Sequence, residues 1–281
     1  MIAIVGYKGF IGSTLYRYAQ EHITEEVIGV DVDNYKQWAK DYLGWSTLVW
    51  AAGMSSKPKC NENKGECWKA NVDDLRDALN DFNPHKVVYI SSYDVYAPDL
   101  EHPSEEDTDP FSDEYVSKLS WYGRTKLAGE QVVKLWAEDY RKKYLITRCN
   151  GFTGAGLKKN VVYDLKQLPP KLYVAWDSRF QYLHTDRFAQ ILLNLSSTYS
   201  NEVFNVTAID CVTPLEIRDM LDVFVPVCTP PITELPRINA VMDTMKMGIA
   251  LTKMGMQLPL CKEAIKNWNQ SIFLEDLGTV V

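Results

Sequence analysis

Tyr122 and Lys126 stand four residues apart, a spacing that places both side chains on one face of a helix. A phenol ionises near pH ~10, so at neutral pH it is a poor acid–base group unless a neighbouring ammonium favours its ionised form. A serine at the end of an adjacent strand can hydrogen-bond the same oxygen. The run Tyr89-Ile90-Ser91-Ser92 supplies one, with Ser92 preferred and Ser91 the alternative. Such a set suits proton transfer at a carbinol or carbonyl carbon. A second combination, Tyr115 and Lys118, has i,i+3 spacing and reads as a surface pair. Alone, Tyr122 and Lys126 would describe an amphipathic helix carrying a snorkelling lysine. The Ser-Ser strand end and a glycine loop at the start of the chain turn the pattern into chemistry.

That loop is Gly6-Tyr7-Lys8-Gly9-Phe10-Ile11-Gly12, between the apolar run Ile2–Val5 and a helical pattern. Glycines let the backbone turn tightly and approach a pyrophosphate, which then lies at the positive end of the helix. The next apolar run ends at Val30-Asp31, where an acid holds an adenosine ribose and disfavours a 2′-phosphate. Lys8, beside the second glycine, would attract that phosphate. The balance favours NAD, with NADP the alternative.

Short β-branched runs alternate with longer amphipathic stretches over the first half of the chain. Strands are expected at Ile2–Val5, Val27–Val30, Thr47–Ala52, Val87–Ile90 and Tyr144–Thr147, with helices at Gly12–Glu21, Glu66–Asp81 and Tyr115–Arg141. This is the pattern of a doubly wound α/β fold of Rossmann type, its parallel strands apolar on both faces. Only about 15 residues separate Asp31 from Thr47, room for a helix but hardly for another strand, so one edge strand should be missing. After Arg148, prolines at 169, 170, 226, 230, 231, 236 and 259 punctuate shorter segments. The expected division is a dinucleotide-binding domain over 1–150 and, over 151–281, a smaller substrate-binding lobe with segments returning to the sheet.

With 46% apolar and 24% charged residues, composition excludes a disordered, collagenous or coiled-coil chain. No run approaches the ~20 apolar residues of a membrane span. A net charge of −7 gives no general attraction to nucleic acid. The six cysteines (Cys60, Cys67, Cys149, Cys211, Cys228, Cys261) form no C-x-x-C pair, so neither a disulfide framework nor a metal site is expected. With an N-terminus that reads as a strand rather than a signal peptide, a cytoplasmic location is expected.

The ordered set resembles the extended short-chain dehydrogenase/reductase family, and the resemblance covers nearly the whole chain. Tyr122-Gly123-Arg124-Thr125-Lys126-Leu127-Ala128-Gly129-Glu130 is similar to the branch containing dTDP-4-dehydrorhamnose reductase. The resemblance implies that Ser92, Tyr122 and Lys126 act on a nucleotide-sugar bound beside NAD(P). It places Ala51, Ala52 and Gly53 on the nicotinamide side and gives Asn71 the task of organising the active site. It assigns Ser92, Tyr93, Asn150, His184 and Arg237 to the nucleotide-sugar, the last through its diphosphate. Arg148-Cys149-Asn150 and Gln181–Asp186 are similar to the family's R-x-N and D-Y-I-H-V-D segments, and Phe204-Asn205-Val206 to a late strand of its substrate lobe. His184 itself reads as a structural hydrogen-bonder, and Trp121 and Trp176 as packing residues. A homodimer is implied by the resemblance alone.

Departures narrow the chemistry. Phe180 stands where related epimerases often carry an arginine, with Arg179 one place off. Tyr93 replaces the acid that 4,6-dehydratases use, although Asp94 follows, so dehydration is disfavoured. The leading expectation is reduction of a 4-keto-6-deoxyhexose at C4. A C4-epimerase with tightly held NAD uses the same residues, and a non-catalytic regulatory subunit would not need all of them.

Overall fold

A computed structural model describes residues 1–42, 44–168, 170–223 and 235–276, with the side chains of 272–276 excepted. Pro169, Pro226, Pro230, Pro231 and Cys228 lie outside the described residues. The strands are β1 (Ile2–Val5), β2 (Val27–Val30), β3 (Thr47–Trp50), β4 (Lys86–Ser92), β5 (Lys143–Cys149), β6 (Gly151–Thr153), β7 (Arg179–Phe180), β8 (Tyr182–His184), β9 (Glu202–Val206) and β10 (Asn239–Ala240). The helices are α1 (Phe10–His22), α2 (Tyr35–Asp41), α3 (Lys57–Glu62), α4 (Lys64–Trp68), α5 (Asp74–Phe82), α6 (Asp113–Lys118), α7 (Trp121–Asp139), α8 (Val161–Lys166), α9 (Thr185–Thr198), α10 (Pro214–Leu221), α11 (Met245–Lys253) and α12 (Cys261–Asp276).

The chain divides into two compact units: Met1–Cys149 with Ala189–Asn205, and Asn150–Phe188 with the chain from Val206 on. The first holds a six-stranded sheet in the order β2-β1-β3-β4-β5-β9, parallel from β2 through β5. This is the Rossmann-type α/β fold. β1 and β4 are buried along their whole length, as the apolar runs require of strands covered on both faces. β2 forms the edge, and α2 leads straight back to β3, so the short Asp31–Thr47 connection does remove a strand. Asn83, with φ +44, ends α5 in the left-handed conformation and turns the chain into β4.

In the second unit β6 pairs with β8 and β7 with β10, both in parallel. Phe204-Asn205-Val206 belongs instead to β9, beside β5 in the main sheet, and corrects its expected place in the substrate lobe. Asn205 is held there because its Oδ1 accepts from the Tyr96 hydroxyl at 2.6 Å and its N–H donates to Glu105 at 2.7 Å. No helix among the described residues is long and apolar enough to cross a membrane.

Two expected helices are divided. The stretch expected over Tyr115–Arg141 breaks at Leu119, whose extended backbone closes α6, and Ser120 caps α7 by accepting from Gly123 N at 3.1 Å. Arg124 reaches back to donate to the carbonyls of Ser117 and Leu119, satisfying the end of α6. The Glu66–Asp81 stretch is interrupted by a π-helical turn at Lys69–Asp73. The cysteine expectation also needs correction, because Cys60 and Cys67 form a disulfide. Two short helices flank Asn63 and bring their Cα atoms to 5.1 Å, a proximity that motif spacing alone does not reveal.

Under the sheet's carboxyl end lies a buried ion pair. Arg148 Nη2 is 2.7 Å from Glu130 Oε2, its Nε donates to Oε1 at 2.9 Å, and both side chains are shielded from solvent. Burial alone would raise the Glu130 carboxyl, but the Arg148 charge and hydrogen bonds from Arg148 and Ser91 hold it below the usual range. Arg148→Met leaves that carboxylate uncompensated and is expected to lower the unfolding free energy by about 3–5 kcal/mol in urea denaturation. With its carboxyl depressed in the fold, Glu130 contributes stability above the ordinary glutamate pKa that is lost as pH falls. The gap between wild type and Arg148→Met should therefore narrow in acid.

Candidate active site

The phosphate loop is shaped by close backbone approaches. Gly6 has φ +86, and a Cβ there would stand 2.9 Å from Ala52 N. A Cβ on Gly12 would stand 2.1 Å from the Gly6 carbonyl, so the first turn of α1 rests directly on the loop. Gly9 occupies the N-cap and offers no side-chain acceptor to the first-turn N–H groups. Phe10 and Ile11 form that turn and are half-buried. An anion fits a turn with this shape and polarity, so these residues suit the pyrophosphate of a dinucleotide.

Lys8 and Asp31, expected to pull in opposite directions, are joined in an ion pair: Lys8 Nζ donates to Asp31 Oδ2. The bond to Asp31 holds the lysine above its ordinary value. A ribose diol would use the carboxylate, whereas a 2′-phosphate would have to take Lys8 from it.

Ala51 and Ala52 follow β3, with Ala51 N donating to Val5 O at 3.0 Å. Gly53, at φ +135, faces Asn71, whose Oδ1 would lie 2.4 Å from a Cβ. Asn71 lies in the π turn, where its Oδ1 accepts from Met54 N at 2.8 Å and its Nδ2 donates to Met54 O at 3.1 Å. The same Nδ2 donates to Thr125 Oγ1 at 2.9 Å, and Thr125 donates to the Tyr122 carbonyl at 2.8 Å. One amide thus ties the loop after β3 to the first turn of α7.

Ser92 ends β4, with its hydroxyl within hydrogen-bonding reach of the Tyr122 phenol. It also donates to Asp94 Oδ2 at 3.3 Å and accepts from Asp94 N at 3.2 Å. Asp94 Oδ1 in turn lies 2.5 Å from Lys57 Nζ. Burial pushes the Tyr122 phenol well up, the Asp94 charge pushes it further, and the Ser92 hydrogen bond draws it partly back. Ser91 points to the other face of the strand and donates to Glu130 at 2.6 Å, which separates the two serines.

Lys126 is buried and donates to the Ile90 carbonyl at 2.7 Å, with its Nζ 4.1 Å from the centroid of the Tyr89 ring. Burial lowers the amine to about 8, against the opposing charge of Glu130. The expected depression of the phenol by Lys126 is corrected: burial and the Asp94 charge hold the phenol up rather than down.

Tyr115 and Lys118 are not a pair. The half-buried Tyr115 hydroxyl donates to Val95 O at 2.8 Å and accepts from Ala97 N at 3.2 Å, while exposed Lys118 bonds Asp99 at 3.0 Å. Tyr93 is half-buried against Tyr96. In the second unit, Asn150 Nδ2 donates to Ala240 O at 2.6 Å, and His184 lies 3.5 Å from Asp186. Arg237 is exposed and 3.4 Å from Asp177. Trp121 bonds the Lys64 carbonyl at 3.0 Å, and Trp176 underlies Arg218. Sequence reasoning missed Lys57, which has no motif around it and lies 37 residues before Asp94. Among the described residues, no group of three or more His, Cys, Asp or Glu is placed to hold a metal ion.

Fold and loop together define a dinucleotide-binding α/β protein. The chain belongs to the NAD dependent epimerase/dehydratase family, whose model matches residues 2–206, and NAD is its cofactor. Its fold is similar to that of a dTDP-4-dehydrorhamnose reductase from Clostridium acetobutylicum (TM-score 0.75, 22% identity, covering 97% of this chain and 99% of that one). It is likewise similar to the UDP-glucose 4-epimerase of Thermotoga maritima, crystallised with UDP-glucose (0.79, 17%, 98% and 99%). The UDP-glucose 4-epimerase of Thermus thermophilus, in complex with NAD, gives 0.79, 15%, 99% and 99%. A sequence search of curated proteins finds no match.

Removing the carboxylate by Asp31→Ala should shift relative affinity about tenfold from NADH toward NADPH in fluorescence titrations. Equal weakening of both cofactors would make Asp31 merely structural.

Proposed function

We propose that this chain is an NAD(P)-dependent reductase acting at C4 of a nucleotide-linked 4-keto-6-deoxyhexose. The observation that carries the reading is the contact of Ser92 with Tyr122 at the carboxyl end of β4, where the phenol keeps its proton. A group that must donate a proton benefits from being held in its protonated form. In this reading the Tyr122 hydroxyl gives its proton to the carbonyl oxygen as a hydride reaches C4, and the carbonyl becomes a secondary alcohol. Reduced nicotinamide, when bound, supplies the hydride. Ser92 orients and polarises the carbonyl. Lys126 holds the nicotinamide ribose, and Gly6, Lys8, Gly9, Phe10, Ile11, Gly12, Asp31, Ala51, Ala52 and Gly53 complete the cofactor site.

Tyr93 beside Ser92, with Asn150, His184 and Arg237 of the second unit, are the proposed contacts to the nucleotide-sugar. The exposed Arg237 guanidinium has the donor geometry for a diphosphate. The accompanying expectation of a homodimer rests on the family resemblance, and a cytoplasmic location is proposed beside it.

The purified protein should oxidise NADH or NADPH when given one of a panel of dTDP-, UDP-, GDP- and CDP-linked 4-keto-6-deoxy sugars, followed by nicotinamide absorbance. Tyr122→Phe should lower kcat by about 10²–10⁴-fold while NADH still binds. A flat trace with NAD released on denaturation would replace the reductase with an epimerase. A flat trace without retained cofactor, and no effect of Tyr122→Phe, would fit a regulatory subunit.

A further inference from the structure

The Lys57–Asp94 pair belongs to no part of the scheme above, yet Asp94 is hydrogen-bonded to Ser92 and its charge acts on the Tyr122 phenol. Asp94 is rigidly placed. Its backbone N–H donates to Ser92 Oγ at 3.2 Å, and Tyr96 N donates to Tyr93 O at 2.9 Å, closing the 3₁₀ turn Tyr93–Val95. The first turn of α7 presses on the same place, where a Cβ on Gly123 would stand 2.0 Å from the Asp94 carbonyl. The carboxylate, 19% exposed, divides its oxygens between the Ser92 hydroxyl at 3.3 Å and Lys57 Nζ at 2.5 Å. Lys57 opens α3, a segment tied on one side by Asn71 to Met54 and on the other by the Cys60–Cys67 bond.

We propose that Lys57 and Asp94 are positioning residues that set the proton affinity of the Ser92–Tyr122 pair. Asp94 holds the Ser92 hydroxyl in place and adds negative charge beside the phenol, while Lys57 cancels part of that charge. The inference rests on the reading of Ser92 and Tyr122 as the proton-transfer pair. A carboxylate beside a phenol favours the proton donor over the phenolate, and this is the state a reductase needs at the start of each turnover. The other groups around Tyr122 leave this role open: Cys149 is neutral because burial pushes its thiol up to about 12, Tyr89 is buried and un-ionised, and Lys126 bonds the Ile90 carbonyl. Facing Asp94, besides Lys57, is Tyr93, whose phenol is raised by burial and by the Asp94 charge.

The test needs no substrate. Trifluorotyrosine at position 122, whose phenol ionises well below that of tyrosine, lets its titration be followed by fluorine NMR in the full-length protein. Asp94→Asn should lower the midpoint by about one unit. Lys57→Met, a change at a half-exposed side chain, should raise it by about half a unit, and by less at high salt. On the Asp94→Asn background, Lys57→Met should shift it by clearly less, because the carboxylate no longer holds the ammonium beside the phenol. An unmoved midpoint in Lys57→Met, or an equal shift with and without Asp94, overturns the proposal. Thermal melting of each variant separates these shifts from unfolding, and Lys57→Met alone keeps the test alive if Asp94→Asn fails to fold. With a turned-over sugar, the alkaline limb of the kcat profile should move the same way in each variant. Coupled titration without turnover by the wild type would sink the reductase reading and leave this one standing.

Discussion

Helix α7 approaches the end of β4 more closely than any side chain would permit, and the arrangement of Ser92, Tyr122 and Lys126 depends on that approach. At Gly123 the missing Cβ lets the helix start touch the Asp94 backbone. At Gly129 a Cβ would collide with the Tyr89 hydroxyl at 2.3 Å and stand 3.0 Å from the Asn71 carbonyl. These two contacts bring Tyr122 to Ser92 and Lys126 onto the Tyr89 ring. A larger residue at either position would lift the helix and separate the pair.

Electrostatics then follow from packing. The Glu130–Arg148 pair sits one helical turn beyond Lys126 and binds α7 to β5, so the seat of this helix is ionic as well as steric. Ser91 joins that buried network and Ser92 faces the phenol, since neighbouring residues of a strand point to opposite faces. The two serines of one motif thereby take unrelated tasks.

The π turn at Lys69–Asp73 performs the matching adjustment on the other side. It carries Asn71 to Met54 and Thr125, which holds the loop after β3 against the first turn of α7. Cofactor loop and proton-transfer pair are thus parts of one hydrogen-bonded frame within the first unit.

Much of this was legible in the residues themselves. Apolar runs buried on both faces announced the parallel sheet, the glycine loop announced a tight turn into a helix start, and the short Asp31–Thr47 link announced a missing edge strand. These are local properties, set by backbone conformation and periodicity. Charge partnership is different, because it depends on which distant side chains the fold brings together. Lys8 and Asp31 read as rivals and proved to be partners, and the phenol read as lowered by Lys126 is instead held up by burial and the Asp94 charge. Cys60 and Cys67 read as unrelated thiols, and Lys57 gave no signal at all. The sequence by itself determined the elements and the kinds of groups available. Only the tertiary structure decided which groups meet, since burial and through-space distance have no counterpart in residue spacing.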